Sequence, residues 1–181
     1  KYEALEKSLA EVKKSNPQQA VEAYRAFWNK NPKMHAISGC MTFSSLALVQ
    51  RDQLKHPEEA LKSLNDGLQV YGESPAVVIL LKDKAETLRR MKRFEEAGAL
   101  GEEWWPQIRQ AARSGHGHLT LLASLSLHQI VLALEEQVPG MADKSAERGE
   151  PGERDEQAGV VWKAEEMTSH PARKRWVVIF P

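Results

Sequence analysis

The feature that most constrains the fold is a helical segment bracketed by two Asn-Pro dipeptides, at residues 16–17 and 31–32. Asn16 can accept a hydrogen bond from the free N–H groups at a helix start, and Pro17 suits the first turn, where its missing N–H is not needed. Asn31 tolerates a left-handed turn at a helix end, and Pro32 prevents continuation. The pattern therefore predicts one helix over residues 17–30, with an apolar face formed by Ala20, Val21, Tyr24, Phe27 and Trp28.

This arrangement recurs at residues 56–75, where Gly72 is predicted to cap the helix, and again at residues 93–106. Three further helical stretches lie between the copies, at residues 2–14, 36–52 and 75–92, the last with Ser74 as its N-cap. The repeated unit is a helix, a short turn, a second helix and a Pro-marked break, present three times over residues 1–112. Its most regular positions are the alanines Ala20, Ala60 and Ala97.

A period of about 40 residues is typical of stacked helical hairpins. One hairpin cannot bury its apolar face alone, whereas neighbouring hairpins form a continuous core. A repeated alanine suits this arrangement, because a methyl group fits where two helices cross closely and a larger side chain does not. We therefore expect Ala60 and its counterparts to lie at helix crossings.

The second helices resemble those of the tetratricopeptide repeat, in which alanine, a large residue, a small residue and an exit proline follow at fixed offsets. The matching positions are Ala20, Tyr24 and Pro32 in the first copy, Ala60, Leu64, Gly67 and Pro75 in the second, and Ala97 in the third. The resemblance implies an all-α fold, an α-solenoid of about three hairpins. It also implies a groove, lined by the first helices, that binds a peptide or helix of another protein.

Polar residues on the predicted first helices are candidate groove positions. Lys82, Glu86 and Arg89 share one face of the helix over residues 75–92, at i, i+4 and i+7. Thr42 and Ser45 come from the preceding first helix. We expect these five residues to contact a partner protein, with the alternative that the charges only form a solvated surface.

Composition narrows the class of partner. Lys plus Arg and Asp plus Glu both number 25, so the formal net charge is zero. Binding to nucleic acid or to an anionic membrane draws on a summed positive field, so neither is expected. Residues 119–134 are the most apolar run, but they are short for a membrane span and include His128 and Gln129. We expect a cytoplasmic protein, although a chain that begins with Lys1 leaves a removed targeting segment open.

The pattern changes after residue 112. Residues 118–136 predict a further helix that is apolar nearly all round, so we expect the last hairpin to cover one side and the C-terminal segment or a partner to cover the other. These observations place a helical domain at residues 1–136, a charged Gly- and Pro-containing linker at 137–159 and a Trp-rich extended tail at 160–181. We interpret the tail as a β-hairpin; the alternative is an irregular segment whose Trp162, Trp176 and Phe180 pack against residues 119–134.

Signs of catalysis or metal binding are few. Cys40 lies in an apolar run, where a buried thiol is expected. His116 and His118 share a Gly-rich stretch and His128 follows, but zinc needs three or four convergent ligands, so a plain turn is the preferred interpretation. No phosphate-binding loop or nucleophile elbow appears. We therefore predict a non-catalytic interaction scaffold without cofactor or metal; the alternative is an enzyme or metal-binding domain around these histidines.

Overall fold

The computed structural model describes residues 1–137 and, by their backbone, two strands at residues 161–166 and 174–179. Residues 1–137 are all-α, as the sequence predicts. A π-helical turn, Val49–Gln53, extends the fourth helix, and a 3-10 turn, Pro75–Val77, precedes the sixth. The α-helices of this part of the chain are α1 (Tyr2–Leu9), α2 (Val12–Ser15), α3 (Pro17–Lys30), α4 (Ala36–Leu48), α5 (Pro57–Tyr71), α6 (Val78–Arg90), α7 (Phe94–Glu103), α8 (Trp105–Ala112) and α9 (Gly117–Glu136).

The boundaries of α3 are those that the Asn-Pro pattern predicts. The side chain of Asn16 accepts a hydrogen bond from the Gln19 N–H at 3.2 Å. At the other end the prediction of a left-handed residue is wrong, because Asn31 has φ −134°. Its side-chain amide instead donates to the Phe27 carbonyl at 2.9 Å. A polar side chain thus caps each end of the helix.

The repeated alanines are fully buried, as the close-crossing argument predicts. Ala20, Ala60 and Ala97 each have 0% of their surface exposed. Gly67 lies two helical turns after Ala60 on the same face of α5 and shows how closely α5 approaches its neighbours. A Cβ atom placed at Gly67 would lie 2.9 Å from Leu80 Cδ1 and 3.0 Å from Phe43 Cβ. Gly67, also singled out for its small size, therefore lies where α4, α5 and α6 meet.

The turn between α4 and α5 and the turn between α6 and α7 share a backbone geometry that the sequence does not predict. Lys55 and Lys92 are the positive-φ residues other than glycine in the described chain, both at φ 61°. Each lies two residues before the start of its second helix, α5 or α7. Their separation along the chain equals that between Ala60 and Ala97. The backbone thus repeats the turn between α4 and α5 in the turn between α6 and α7.

Two departures from the predicted elements have local causes. The helix predicted over residues 93–106 is interrupted at Trp104, whose φ of −110° separates α7 from α8. The Trp104 ring occupies the space beside Gly72, where an added Cβ would lie 3.5 Å from it. Gly72 follows α5 as predicted, but with an ordinary right-handed φ of −53°. Packing of a large ring, rather than backbone preference, sets both helix ends.

Helix α9 packs against α6, α7 and α8. It runs parallel to α6, since the Ser126 hydroxyl donates to the Val78 carbonyl at 2.9 Å near the start of α6, while Arg89 near its end lies 3.1 Å from Glu136. Among residues 1–137, only one side of α9 is covered. Leu121 on the other side is 56% exposed.

The chain divides into two compact units, Lys1–Lys144 and Ser145–Pro181. In the second, β1 (Val161–Glu166) and β2 (Lys174–Ile179) pair antiparallel, with Trp162 opposite Val178. These strands fall within the segments that the sequence favours as extended. The predicted linker, apart from Gln137, lies outside the described residues. So does the alternative packing of the tail's aromatic side chains.

Candidate functional site

The predicted groove residues of α4 are engaged within the chain. Thr42 is buried, and its hydroxyl donates to the Ser38 carbonyl at 2.8 Å. The Ser45 hydroxyl is 2.8 Å from the Tyr2 hydroxyl, which connects α4 to α1. The Thr42 bond is internal to α4, whereas the Ser45 bond ties α4 to α1. The role of both residues in partner binding stays a prediction.

The three predicted residues of α6 lie on one face but reach different partners. Lys82 Nζ is 2.8 Å from Asp83 Oδ1, and Arg89 Nη1 is 3.1 Å from Glu136 Oε1. Glu86 forms ion pairs with two arginines, Arg51 at 3.3 Å and Arg90 at 2.5 Å. The charges of this face are thus compensated inside the chain.

A buried polar network between α4, the π-turn and α6 is missed by sequence reasoning. Asp83 is 1% exposed and accepts a hydrogen bond from the Ser44 hydroxyl at 2.5 Å. The Arg51 side chain, 6% exposed, lies 2.8 Å from Asp52 and 3.3 Å from the Thr87 hydroxyl. The π-turn inserts the extra residue that turns this arginine inward, and such insertions leave no periodicity signal.

The chemistry of this network is that of a structural tie. Hydrogen bonding from Arg51 holds the pKa of Asp52 below its ordinary value. Burial alone would lower the pKa of Arg51, but Asp52 and then Glu86 outweigh it and raise that pKa. Asp52 and Arg51 therefore stay ionised together. A general acid or base needs a pKa near the working pH, and this arrangement moves these groups away from it.

The side of α9 that the other helices of residues 1–137 leave uncovered is the second candidate surface. We call it the α9 stripe. Leu121 and Leu125 are 56% and 39% exposed, and His118 and His128 are also exposed. The members succeed one another at alternating intervals of three and four residues, so they share one face of the helix. They are His118, Leu121, Leu125, His128, Leu132 and Glu135.

The histidines do not converge. His118 and His128 are ten residues apart on one helix, which separates them by about 15 Å along its axis. His116 precedes the helix and its side chain makes no capping hydrogen bond. Within the described residues, no group of three or more His, Cys, Asp or Glu side chains could hold a metal ion. A zinc site of the usual kind needs at least three ligands within bonding distance of one point.

Cys40 is a buried thiol rather than a candidate nucleophile. Its side chain is 0% exposed, and burial raises its pKa to about 12. The thiolate is the reactive form of cysteine, so this residue stays protonated and inert at neutral pH.

A cavity of about 480 Å³ lies between α1 and the turn from α3 to α4. Its polar lining includes Lys30, Lys33 and His35, with Phe27 and Met34 as the apolar part. The lining contains no Asp or Glu. Such a pocket can accept an anionic group, but it offers no carboxylate for acid–base chemistry.

Comparisons of the chain with protein-family models, curated proteins and solved structures found no match. The tetratricopeptide-like assignment therefore stays a prediction, and the functional argument draws on the geometry of residues 1–137.

Proposed function

We propose that this chain is a non-catalytic protein-interaction scaffold. The α9 stripe is the observation that carries the proposal. The large hydrophobic side chains with substantial exposure in residues 1–137 are Val70, Leu121 and Leu125, and two of these three lie one helical turn apart on the stripe. Isolated exposed hydrophobics are ordinary, whereas neighbouring exposed leucines on one helix face indicate an interaction surface.

The arrangement of the helices supports a tetratricopeptide-like stack as the frame of this scaffold. Parallel first helices are the mark of such a stack, and two contacts support parallel α4 and α6. Ser44 in α4 bonds Asp83, and Arg51 in the π-turn that extends α4 reaches Glu86 further along α6. The shared φ of Lys55 and Lys92 adds a repeated hairpin turn. On this proposal α9 takes the place of a fourth first helix.

The groove face of α6 is part of the same proposal. Lys82, Glu86 and Arg89 would meet a partner as preformed ion pairs, because each already has a partner in the chain. Such pairs favour orientation and selectivity more than affinity. The stripe on α9 supplies the apolar contact that the groove lacks.

A membrane is the competing occupant of the stripe. Of the described helices, α9 is long and apolar enough to cross a bilayer, judged by length and composition. Crossing would require α9 to leave α6, α7 and α8, to break the Ser126–Val78 hydrogen bond and to carry the polar side chains of His128 and Gln129 into the bilayer. The cost of unpaired polar groups in hydrocarbon favours a protein partner.

Site-specific photo-crosslinking tests the proposal. A benzophenone side chain at Leu125 should give adducts with protein in cell lysate, while the same group at Val70 on α5 should not, although both residues are exposed. Equal labelling at both positions, or none at Leu125, would remove the stripe as a protein-binding surface. Flotation of the purified chain with lipid vesicles would assign the stripe to a membrane instead.

A further inference from the structure

The cavity between α1 and the turn from α3 to α4 combines positive charge with apolar walls. Lys1, Lys30 and Lys33 line it, and its lining within residues 1–137 contains no Asp or Glu. Its volume of about 480 Å³ lies within the range of about 300–1,000 Å³ that is typical of small-molecule sites. In a chain whose formal net charge is zero, this local excess of positive charge attracts anions.

The charges around the cavity are not compensated by neighbouring acids. On α6, Lys82 Nζ lies 2.8 Å from Asp83 Oδ1 and is therefore paired inside the chain. Within residues 1–137, neither Lys30 nor Lys33 forms such an ion pair. Both side chains are exposed, so their charges are available to an anion that enters the cavity.

Hydrogen bonds hold the turn that carries Lys33 in one conformation. The Met34 N–H donates to the Asn31 carbonyl at 3.2 Å, and the Asn31 side-chain amide donates to the Phe27 carbonyl at 2.9 Å. The Thr42 hydroxyl lies 3.8 Å from the Met34 sulfur, which connects the turn to α4. A turn that is fixed in this way reduces the entropy that binding must remove.

The imidazole of His35 supplies a neutral hydrogen-bond donor at the same cavity. Its Nδ1 accepts a hydrogen bond from the Ile37 N–H at 3.4 Å, where it caps the start of α4. Because Nδ1 is the acceptor, Nε2 carries the proton of the neutral ring and can donate it to a bound oxygen. His35 is exposed and lines the cavity.

The number and type of basic side chains favour a phosphate group over a carboxylate. Several ammonium groups around one cavity repel one another less when the bound group carries more than one negative charge. A phosphate monoester carries a charge of about −1.5 to −2 at pH 7 and three acceptor oxygens. The lining within residues 1–137 contains no arginine, whose planar fork matches a carboxylate, whereas lysine binds phosphate as a point charge.

We propose that this cavity binds a phosphate monoester that is attached to an apolar body. Lys30 and Lys33 hold the phosphate and His35 donates to it. Phe27 and Met34, both half-buried in the lining, contact the apolar body. A free small molecule and a phosphotyrosine side chain of another protein both carry this chemistry. The cavity is separate from the α9 stripe, so the inference goes beyond the proposed function and stands without it.

Isothermal titration calorimetry of the purified full chain with phenyl phosphate tests the site. We expect a Kd at or below about 1 mM at low ionic strength. Inorganic phosphate lacks the ring and should bind about tenfold more weakly, because no apolar surface is buried. Phenol, which lacks the charge, should show no binding. Equal affinity for phenyl phosphate and inorganic phosphate would overturn the part assigned to Phe27 and Met34.

Two variants with the same change in net charge test the position of the site. Lys33→Met should raise the Kd for phenyl phosphate about tenfold, because it removes a charge-assisted hydrogen bond. Lys62→Met, at an exposed position of α5, should bind as the wild type does. Circular dichroism checks that both variants are folded. The same Kd for both variants would show only a general attraction between charges and would overturn the site.

Proton NMR of the histidine rings gives an independent measurement on the wild-type chain. His35 and His56 are both exposed residues that precede a helix, α4 or α5. Phenyl phosphate should shift the ring resonances of His35 and leave those of His56 unchanged; equal shifts would contradict the site.

A short phosphotyrosine peptide distinguishes the two sources of the phosphate. Tighter binding of the peptide than of phenyl phosphate would assign the site to a modified protein, and weaker binding would assign it to a small molecule. If neither probe binds the wild-type chain at up to about 10 mM, a free energy too small for a specific site, the proposal is wrong.

Discussion

The strongest structural test is to enlarge the alanines at the helix crossings. Ala97 in α7 and Ala60 in α5 are both 0% exposed. Leucine adds three carbon atoms to each site, and the surrounding side chains must shift to admit them. Overpacking of this kind costs about 1–3 kcal/mol in the free energy of unfolding. Ala97→Leu and Ala60→Leu should each show such a loss.

Ala99 provides a matched control in the same helix. It lies two residues from Ala97 and is exposed. Alanine and leucine have similar helix propensities, so Ala99→Leu should change the free energy of unfolding by less than about 0.5 kcal/mol. A comparison of Ala97→Leu with Ala99→Leu therefore separates overpacking from any effect on the helix itself.

Thermal unfolding followed by far-UV circular dichroism measures the difference. For a chain of 181 residues, 1 kcal/mol corresponds to about 2–4 °C in Tm, so the buried variants should melt about 2–12 °C lower. Urea midpoints at constant m-value provide a second measure. If Ala97→Leu and Ala60→Leu melt with the wild type, the close crossings are wrong and the alignment of the repeats loses its physical basis.

Three further predictions concern single groups. Lys92→Gly should stabilise the fold by up to about 1 kcal/mol because it removes a left-handed non-glycine residue. As a control, Lys62→Gly, at an exposed position inside α5, should destabilise the fold by about 1 kcal/mol. Urea titration measures the free energy of unfolding of both variants. Arg51→Met should cost about 1.5–3 kcal/mol because it removes hydrogen bonds from a buried guanidinium to Asp52 and to the Thr87 hydroxyl, while Arg90 still pairs with Glu86; a loss below about 1 kcal/mol would contradict the structural tie. Burial would raise the pKa of Glu6, but hydrogen bonds from Lys13 and then Tyr24 lower it below its ordinary value. The stabilisation that Glu6 gives the fold is therefore present above its unfolded-state pKa and is lost as the pH falls through the lower folded-state pKa. The Tm should consequently fall less steeply in acid for Glu6→Gln than for the wild type.

The parts of the fold that follow from sequence are those set by neighbours in the chain. Asn16 and Pro17 begin α3 through hydrogen bonding and a fixed φ, and both effects act within one helical turn. Ser74 caps the next segment in the same way, accepting from the Ala76 N–H at 3.2 Å. Local signals of this kind are sufficient because their partners lie only a few residues away.

Other features depend on residues far apart in sequence. The buried carboxylate of Asp83 is stabilised by a hydrogen bond that the hydroxyl of Ser44, 39 residues earlier, donates to it. Arg51 lies in a π-turn, and its side chain points inward and donates to the Thr87 hydroxyl. Trp104 interrupts a predicted helix because its ring packs beside Gly72. None of these contacts has a period or a local motif, so the candidate groove could be placed on α6 from sequence while its ion pairs could not.

The α9 stripe is a third case. The sequence predicts that α9 is an apolar helix, but only the packing of the other helices decides which of its faces is buried. A helix that is apolar on most sides gives no preference for one buried face. The fold makes the choice through small side chains, since Ala123, Ser126 and Ala133 let α9 approach α6 and its neighbours closely. Leu119 and Ile130 are buried with these small residues, whereas Leu121 and Leu125 remain on the outward face.

The exposure of that outward face follows from the position of α9 in the order of helices. Helix α6 contacts α4 and α9 and also α5 and α7, so eight of its 13 residues are buried and only Arg90 is exposed. Helix α9 has such neighbours on one side only among residues 1–137. A first helix in a hairpin stack reaches full burial when a second helix packs along its free side. The 3-4 spacing of the α9 stripe is suited to that second helix. A protein captured by the benzophenone at Leu125 should, when added to the purified chain, raise the Tm of the wild type more than that of Leu125→Lys, because binding stabilises a fold only where the bound state is populated.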